Sequence, residues 1–377
     1  MLASGLGRKN FLAAGNSETT KLASYPMFDW LRFVLASLVV MVHAHLPGIP
    51  GHAGGLSVGV FFALSGWLIG SILLRTSVTD LPHFFFNRAT RIWLPYAAAV
   101  ALLYTAAAVR EGTGFFWLKY LVMDLTFTHQ IFTIFPVAKF EMPLDGSGNQ
   151  FWSLAVEEQF YLWAPLVIIG LPWGRKALTW VVVSAVLLSV YPYFGNIALG
   201  VLAAILQRDY DLTERPWVRR LTVLVALGLG FLLFGPVDVS VPPAVQALFC
   251  VSVVLALSQS GPRSSVGKFL GGISFPLYLN HWLGLALCHG IANQFGQGDA
   301  LWLPFVQYAA AFAITLPMYL MIDCVVMKRR SGWYNAVVGR RVMFAAYALF
   351  AVGMLSGVLM YTYGPHAELP QTIASAE

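Results

Sequence analysis

Residues 28–45 read FDWLRFVLASLVVMVHAH, an apolar segment long enough to cross a membrane that also carries Arg32 and His43. Ionisable side chains are costly at membrane depth, so each one is a candidate functional residue. The two are eleven positions apart, which brings them to the same face of a helix, about 16 Å apart along its axis. The segment therefore predicts a transmembrane helix with one polar face. An interfacial arginine and a hydrogen-bonded buried histidine are the structural alternative.

The composition of the whole chain predicts a polytopic membrane protein. Of its 377 residues, 58% are hydrophobic and only 11% are charged, which is far from the composition of a soluble domain. The net charge of +6 does not indicate a nucleic-acid partner, because the basic residues are spread over short loops. The predicted fold is an all-α transmembrane bundle in a lipid bilayer.

Apolar windows of about 19 residues predict about 10 to 11 transmembrane helices. They lie near residues 28–46, 56–74, 92–110, 151–171, 177–192, 193–207, 221–235, 244–260, 272–291, 303–326 and 342–362. Residues 115–135 contain Lys119, Asp124 and His129, so we expect an interfacial or re-entrant segment there. With that assignment almost all Lys/Arg clusters face one side, which the positive-inside rule makes cytoplasmic.

Three parts are expected along the chain. Residues 1–25 are predicted to be a mobile cytoplasmic tail, and residues 26–330 a transmembrane core. Residues 331–377 are predicted to form a final transmembrane helix and a short extracytoplasmic tail. Because the sequence ends at Glu377, no additional extracytoplasmic domain is expected.

A basic pair follows the second apolar span, in HFFFNRATRIWLPY (residues 83–96). Arg88 and Arg91 are three positions apart and would be neighbours on a helix surface. Guanidinium groups bind phosphate in bidentate fashion, so a phosphorylated donor is a candidate ligand. A basic loop beside a membrane is also what the positive-inside rule produces, and that alternative stays open.

A second polar group lies in GNQFWSLAVEEQFYLWAP (residues 148–165). Ser153, Glu157 and Tyr161 are spaced by four and share one helix face. In the predicted topology this helix starts from the same outer side at which His43 lies. A carboxylate close to an imidazole would orient it and raise its basicity, which prepares a general base. A structural hydrogen-bond network is the alternative.

The last polar group lies in ISFPLYLNHW (residues 273–282), where Tyr278 and His281 share a helix face. These two residues are candidates for a supporting role, together with Trp152, Ser153 and Tyr161. The histidines lack the spacing of a zinc site, so no metal is expected.

Taken together, these segments resemble the acyltransferase 3 family of integral-membrane acyltransferases, from Phe28 to about Asp323. Single motifs of this kind are weak, but five in family order are specific. The five are the arginine and histidine of the first span, FFALSG (residues 61–66), Arg88-x-x-Arg91 followed by Pro95-Tyr96, WSLAVEEQFYLWAP (residues 152–165) and YLNH (residues 278–281).

The resemblance implies an O-acyltransferase of the bacterial cytoplasmic (inner) membrane with a cytoplasmic N-terminus. Cytoplasmic acyl-CoA, most often acetyl-CoA, would be the donor substrate, with no bound cofactor. A sugar hydroxyl in an envelope or exported polysaccharide, such as exopolysaccharide or lipopolysaccharide, would be the acceptor. On this analogy Arg88 and Arg91 bind the CoA phosphates and Arg32 lines the donor channel. His43 takes the hydroxyl proton and Glu157 is its polar partner.

Two other classes of function stay open from the residues alone. A secondary transporter or polysaccharide exporter could use Arg32, His43 and Glu157 as a proton relay, although the chain shows no internal inverted halves. A membrane sensor or scaffold without catalysis is the other class. For the enzyme, direct transfer is simpler than a covalent intermediate, although Ser153 is a possible nucleophile.

Overall fold

The computed structural model describes residues 24–132, 141–234 and 241–365, and these residues form a bundle of helices without any β-strand. The all-α fold predicted from the sequence is confirmed. In chain order the helices are α1 (Pro26–His43), α2 (His52–Leu73), α3 (Leu81–Glu111), α4 (Phe115–Leu125), α5 (His129–Phe132), α6 (Phe151–Ile168), α7 (Ala177–Val190), α8 (Pro192–Tyr210), α9 (Pro216–Phe234), α10 (Pro243–Leu257), α11 (Ser265–Gln294), α12 (Leu303–Met318), α13 (Cys324–Trp333) and α14 (Ala336–Tyr363).

The chain is an integral membrane protein by the length and composition of its helices. In the described residues six helical segments are long and apolar enough to cross a membrane. They are Pro26–His43, His52–Leu73, Val78–Glu111, Pro216–Phe234, Leu303–Trp333 and Ala336–Tyr363. Helices α7 and α10 are apolar but shorter. The full number of 10 to 11 crossings stays a prediction.

Within the described residues each predicted span lies mostly in helix, but several helices begin earlier than the hydropathy indicates. Residue 235 of the span predicted at 221–235 lies outside the described residues. Helix α3 begins at Leu81 rather than near residue 92, because Pro82 in the first turn is compatible with a helix start. Helix α11 begins at Ser265, where the Ser264 hydroxyl accepts a hydrogen bond from the Gly267 amide at 3.0 Å. The span predicted at 303–326 is two helices joined by a π-helical turn, Tyr319–Asp323.

Residues 115–132 agree with the expectation of a segment that does not cross. Helix α4 has 11 residues and is therefore about 17 Å long, too short for a hydrocarbon core of about 30 Å. The chain turns at Phe127, which has a φ of 55°, before the single turn of α5. Residues 133–135 of the predicted segment lie outside the described residues.

Several basic connections meet at one end of the bundle, called here the basic end; the opposite end is called the far end. The contacts are backbone or side-chain hydrogen bonds of 2.9–3.3 Å, joining Gly261 to Ser24, Arg175 to Thr76, Arg208 to Arg175 and Arg330 to Asn87. This common end is what the positive-inside pattern requires. The assignment of the basic end to the cytoplasm stays a prediction.

Close helix packing fixes α2 against α8. A Cβ atom on Gly66 would lie 1.9 Å from the Ile197 carbonyl oxygen, and one on Gly200 would lie 2.1 Å from the Ala63 carbonyl oxygen. Only glycine permits this approach, as is common between membrane helices. The contact positions Ser65 of α2 within hydrogen-bonding distance of α6, where the polar residues described below converge.

Candidate functional site

A cavity of about 130 Å³ lies between α1, α2, α3, α6 and α11. Ser153 and Tyr161 both line it and are eight residues apart on α6, so the cavity extends about 12 Å along that helix. Seven of the residues predicted from the sequence are in its lining: Arg32, Arg88, Arg91, Ser153, Glu157, Tyr161 and Tyr278. The lining also includes Phe61, Phe62, Leu64 and Ser65 of FFALSG, so the fold brings residues of all five sequence motifs to one space.

The Arg32 side chain enters this cavity from α1, and a carboxylate one turn earlier on α1 binds its guanidinium group. Its Nη1 donates to the Asp29 carboxylate at 3.2 Å, and Arg263 donates to both oxygens of the same carboxylate at 2.5 and 2.6 Å. Asp29 is buried, and a Cβ atom on Gly271 would lie 2.7 Å from its Oδ1. The glycine therefore permits the approach of α11 that encloses this group of charges.

Arg88 and Arg91 enter from α3, near the basic end. The Arg88 guanidinium carbon lies 5.2 Å from the centre of the Tyr161 ring and 5.9 Å from that of Phe84, a cation–π arrangement. Within the described part of the chain neither Arg88 nor Arg91 forms a salt bridge. Both guanidinium groups are therefore available to an anionic ligand.

Glu157 is the one carboxylate among the described residues that line the cavity. It lies between two interhelical hydroxyl pairs, one helical turn away on either side. Ser153 pairs with Tyr278 of α11 at 2.6 Å, and Tyr161 pairs with Ser65 of α2 at 2.8 Å. These two bonds hold the polar face of α6 toward the cavity.

His43 lies at the C-terminal end of α1, at the far end of the bundle, and pairs with a second histidine. Its Nδ1 is 2.8 Å from Nε2 of His281, which is buried on α11. The Nδ1 of His281 donates to the Tyr278 carbonyl at 2.8 Å. Because Tyr278 lines the cavity, the histidine pair lies one turn of α11 beyond it.

The arrangement differs from the expected one at Glu157. The sequence suggested Glu157 as the polar partner of His43, whereas the hydrogen bond in the structure joins His43 to His281. Glu157 lines the same cavity as the arginines. Its neighbour Glu158 points to another helix and accepts a hydrogen bond from the Trp93 indole at 2.8 Å.

Trp152, predicted as a supporting residue, lies among aromatic rings at the start of α6. Its ring centre is 4.6 Å from that of Tyr193 and 6.0 Å from that of Phe62. Phe62 lines the cavity, so Trp152 supports the wall from behind. Among the described residues no three His, Cys, Asp or Glu side chains are grouped so that they could hold a metal ion.

Two features of the site had no signal in the sequence motifs. Arg263 and Arg32 both donate to the Asp29 carboxylate, although Arg263 is 234 positions from Asp29 in the sequence. Arg330 of α13 donates to the Asn87 carbonyl at 3.3 Å, directly beside the basic pair of α3. Both are basic residues of loops or helix ends, where a positive charge is expected for topology alone.

Comparison with known proteins gives a family and several distant relatives. The acyltransferase domain model of the acyltransferase 3 family matches residues 25–324. A protein of Staphylococcus aureus strain COL, provisionally named an O-acetyltransferase, is 23% identical over 73% of this chain and 53% of its own length. The peptidoglycan O-acetyltransferase OatA of Listeria monocytogenes is 26% identical over 92% of this chain and 65% of its own length.

A third relative, the O-acetyltransferase OatA of Staphylococcus aureus strain NCTC 8325, is 30% identical over 38% of this chain and 24% of its own length. The chain spans about half the length of the first of these relatives. No solved structure matches it significantly.

Proposed function

Since this chain belongs to the acyltransferase 3 family of integral-membrane acyltransferases, we propose that it transfers an acetyl group from acyl-CoA to a carbohydrate hydroxyl. The observation that carries this proposal is the cavity, into which three arginines and a single carboxylate of the described chain project. An excess of guanidinium groups suits a donor with several phosphates. The relatives named as O-acetyltransferases support acetyl as the group, and the peptidoglycan named for one supports a glycan acceptor.

The donor would enter the cavity at the basic end. Arg88 and Arg91 lie there without ion-pair partners in the described chain and would bind the CoA phosphates. Arg32, held by Asp29, presents its remaining donors to the same space. The pantetheine arm would then extend along α6 toward Ser153. Fixing a bulky anionic donor in this way supplies the orientation that a two-substrate transfer needs.

The acceptor would approach from the far end, where His43 is exposed. His43 takes the proton of the acceptor hydroxyl as its oxygen attacks the thioester carbonyl. The carbon–sulfur bond breaks, and the CoA thiolate leaves and receives that proton from the imidazolium. The products are an acetyl ester and CoA thiol, so all atoms are accounted for without a covalent enzyme intermediate.

This arrangement implies a reaction across the bilayer, with the basic end in the cytoplasm and the acceptor on the opposite side. The positive-inside pattern supports that orientation. In a bacterium the membrane would be the cytoplasmic (inner) membrane, and the acceptor an envelope or exported polysaccharide such as exopolysaccharide or lipopolysaccharide.

The test uses purified full-length protein in detergent with radiolabelled acetyl-CoA and a panel of glycans. We expect acceptor-dependent release of CoA thiol and label in the glycan. Sugar counterflow in proteoliposomes without any CoA release would instead indicate a transporter and overturn the proposal.

A variant at the base makes the test specific to the site. His43→Ala is expected to lower turnover by about 10²–10⁴-fold with acyl-CoA binding intact, the usual effect of losing a general base. His45→Ala is the matched control, because His45 is exposed and lies beyond the end of α1. Equal activity of the two variants at equal membrane abundance would remove the catalytic role of His43.

A further inference from the structure

The two histidines at the far end form a hydrogen-bonded pair with a defined direction. The ring planes of His43 and His281 are inclined by only 19° and their centres are 5.0 Å apart. With the nitrogens 2.8 Å apart, the rings lie edge to edge in nearly one plane. That is the geometry of an N–H···N hydrogen bond, and it differs from face-to-face stacking.

The direction of this bond follows from the group on the other side of His281. The Nδ1 of His281 lies 2.8 Å from the Tyr278 carbonyl oxygen. A carbonyl can only accept, so the proton is on Nδ1 of His281. Neutral imidazole carries one N–H, so Nε2 of His281 is an acceptor and Nδ1 of His43 must be the donor.

The opposite direction would need a positively charged His281. His281 is only 2% exposed, and within the described residues it has no salt bridge to a carboxylate. An unpaired charge buried in this way is strongly unfavourable. The neutral form of His281 is therefore the one that fits its surroundings.

We infer that His281 is a positioning residue that holds His43 in the tautomer with its proton on Nδ1 and its lone pair on Nε2. His43 is exposed, and its Nε2 makes no hydrogen bond to the described part of the chain. The lone pair that a general base needs is thus directed away from His281. This inference deepens the proposed function and rests on it for its catalytic consequence.

The pair also suits both halves of the reaction. Nδ1 of His43 carries a proton when the ring is neutral and when it is an imidazolium. His281 can therefore accept the same hydrogen bond before and after proton transfer. The Tyr278 carbonyl orients His281 in turn, and the Tyr278 hydroxyl bonds Ser153 in the cavity wall. The orientation of the base is thereby linked to the wall of the donor cavity.

The tautomer can be measured without any substrate. In full-length protein labelled with ¹⁵N-histidine, the His43 signals are identified by their loss in His43→Gln. The nitrogen shifts distinguish a protonated from an unprotonated ring nitrogen. We expect Nδ1 of His43 to be protonated and Nε2 not; the reverse assignment in the wild-type protein would overturn the inference.

Two variants of the positioning residue separate orientation from packing. His281→Phe keeps a ring but removes the acceptor, and we expect a loss of kcat of about 10–100-fold, as for other groups that orient a functional histidine. The KM for acyl-CoA should stay within about twofold of wild type. His281→Gln restores an acceptor oxygen and should recover most of the turnover and the Nδ1 proton of His43.

The outcomes distinguish this inference from the proposed function. A wild-type protein with the expected tautomer but no CoA release contradicts the proposed function alone. If His281→Phe turns over at the wild-type rate, or keeps the His43 tautomer unchanged, His281 is a packing residue. If His281→Phe does not fold, the wild-type tautomer and the kcat of His281→Gln still show whether His281 positions His43.

Discussion

Two groups of charged side chains lie in this bundle, and they are satisfied in opposite ways. Beside α4, Lys119 donates to the Glu141 carboxylate at 2.5 Å, and both side chains are 2% exposed. Asp124 is fully buried and hydrogen-bonded as well. In the central cavity, Arg88 and Arg91 have no ion-pair partner within the described residues.

The charged side chains beside α4 have partners among their neighbours. The Asp124 carboxylate accepts a hydrogen bond from the Tyr104 hydroxyl at 2.6 Å and lies 2.6 Å from Nδ1 of His129. The Tyr120 hydroxyl donates to Glu141 at 3.1 Å. Buried charges with partners and hydrogen bonds fix the relative positions of the elements that carry them. Here those elements are α3, α4 and α5.

The cavity group is compensated only in part. Asp29 pairs with Arg32 and Glu157 lies in the lining, whereas Arg88 and Arg91 have no ion pair within the described residues. Like charges held close together repel each other. Such an arrangement is expected where an anionic ligand supplies the missing charge. In a membrane bundle the presence of charge does not by itself indicate function; the balance of charge separates a structural group from a binding site.

The largest predicted effect follows from breaking the paired group. Lys119→Met removes the cation of the buried ion pair with Glu141, and removal of one partner of a buried pair costs about 3–5 kcal/mol. We expect a marked fall in Tm in detergent, as measured by fluorescence-detected size exclusion. The KM of the folded fraction for acyl-CoA should be unchanged. Lys328→Met is the control, since Lys328 is exposed. An unaltered Tm for Lys119→Met would remove the structural role.

The second prediction concerns the cavity and has the opposite signature. In the double variant Arg88→Gln/Arg91→Gln the KM for acyl-CoA should rise, since each charge-assisted phosphate contact is worth about 1.5–3 kcal/mol. The Tm without ligand should not fall, because no ion pair is lost. Added CoA should raise the Tm of the wild-type protein by mass action but not that of the variant. Unchanged CoA affinity in the variant would make the arginines topological only.

Much of the fold was predictable because it depends on local composition. Apolar length located the helices, and the charges at 115–135 predict a segment that does not cross, with which the 11 residues of α4 agree. The helical period places Arg32 and His43 on one face, and in the structure Arg32 lines the cavity while His43 pairs with His281 at the end of α1. Spacing by four likewise predicted the shared face of Ser153 and Tyr161, confirmed by their common cavity.

What the sequence could not predict depends on pairings between distant segments. His43 and His281 are 238 positions apart, and nothing in either motif specifies the register of α1 against α11. The same holds for Lys119 and Glu141, which are 22 positions apart in the sequence. The sequence favours Glu157 as the polar partner of His43 because both residues are expected near the far end. Interhelical packing, such as the bond between Ser65 and Tyr161, fixes the orientation of α6.

A residue outside the matched family domain adds to the positive charge near the cavity. Arg330 of α13 lies beyond residues 25–324, and its Nη1 donates to the Asn87 carbonyl at 3.3 Å. In an α-helix the carbonyl of residue 87 points toward the amide of residue 91, so the Arg330 guanidinium lies near the backbone of the basic pair, close enough for its charge to act on Arg88 and Arg91. The π-helical turn at Tyr319–Asp323 precedes α13, and such turns are frequent at functional sites. Arg330 therefore adds a further positive charge to the unbalanced group.

The smallest predicted effect is that of Arg330→Gln. Its guanidinium is partly exposed, so we expect a loss of about 0.5–1.5 kcal/mol in donor binding, which is about a 2–10-fold rise in the KM for acyl-CoA with kcat unchanged. Arg329→Gln, at an exposed neighbouring position, is the matched control. Acetyl-dephospho-CoA, which lacks the 3′-phosphate, identifies the phosphate that Arg330 contacts. With this donor the rise in KM of Arg330→Gln disappears if Arg330 binds the 3′-phosphate and persists if it binds the diphosphate. Equal KM values for the two variants would confine the unbalanced charge to Arg32, Arg88 and Arg91, because Arg330 would then contribute only to topology.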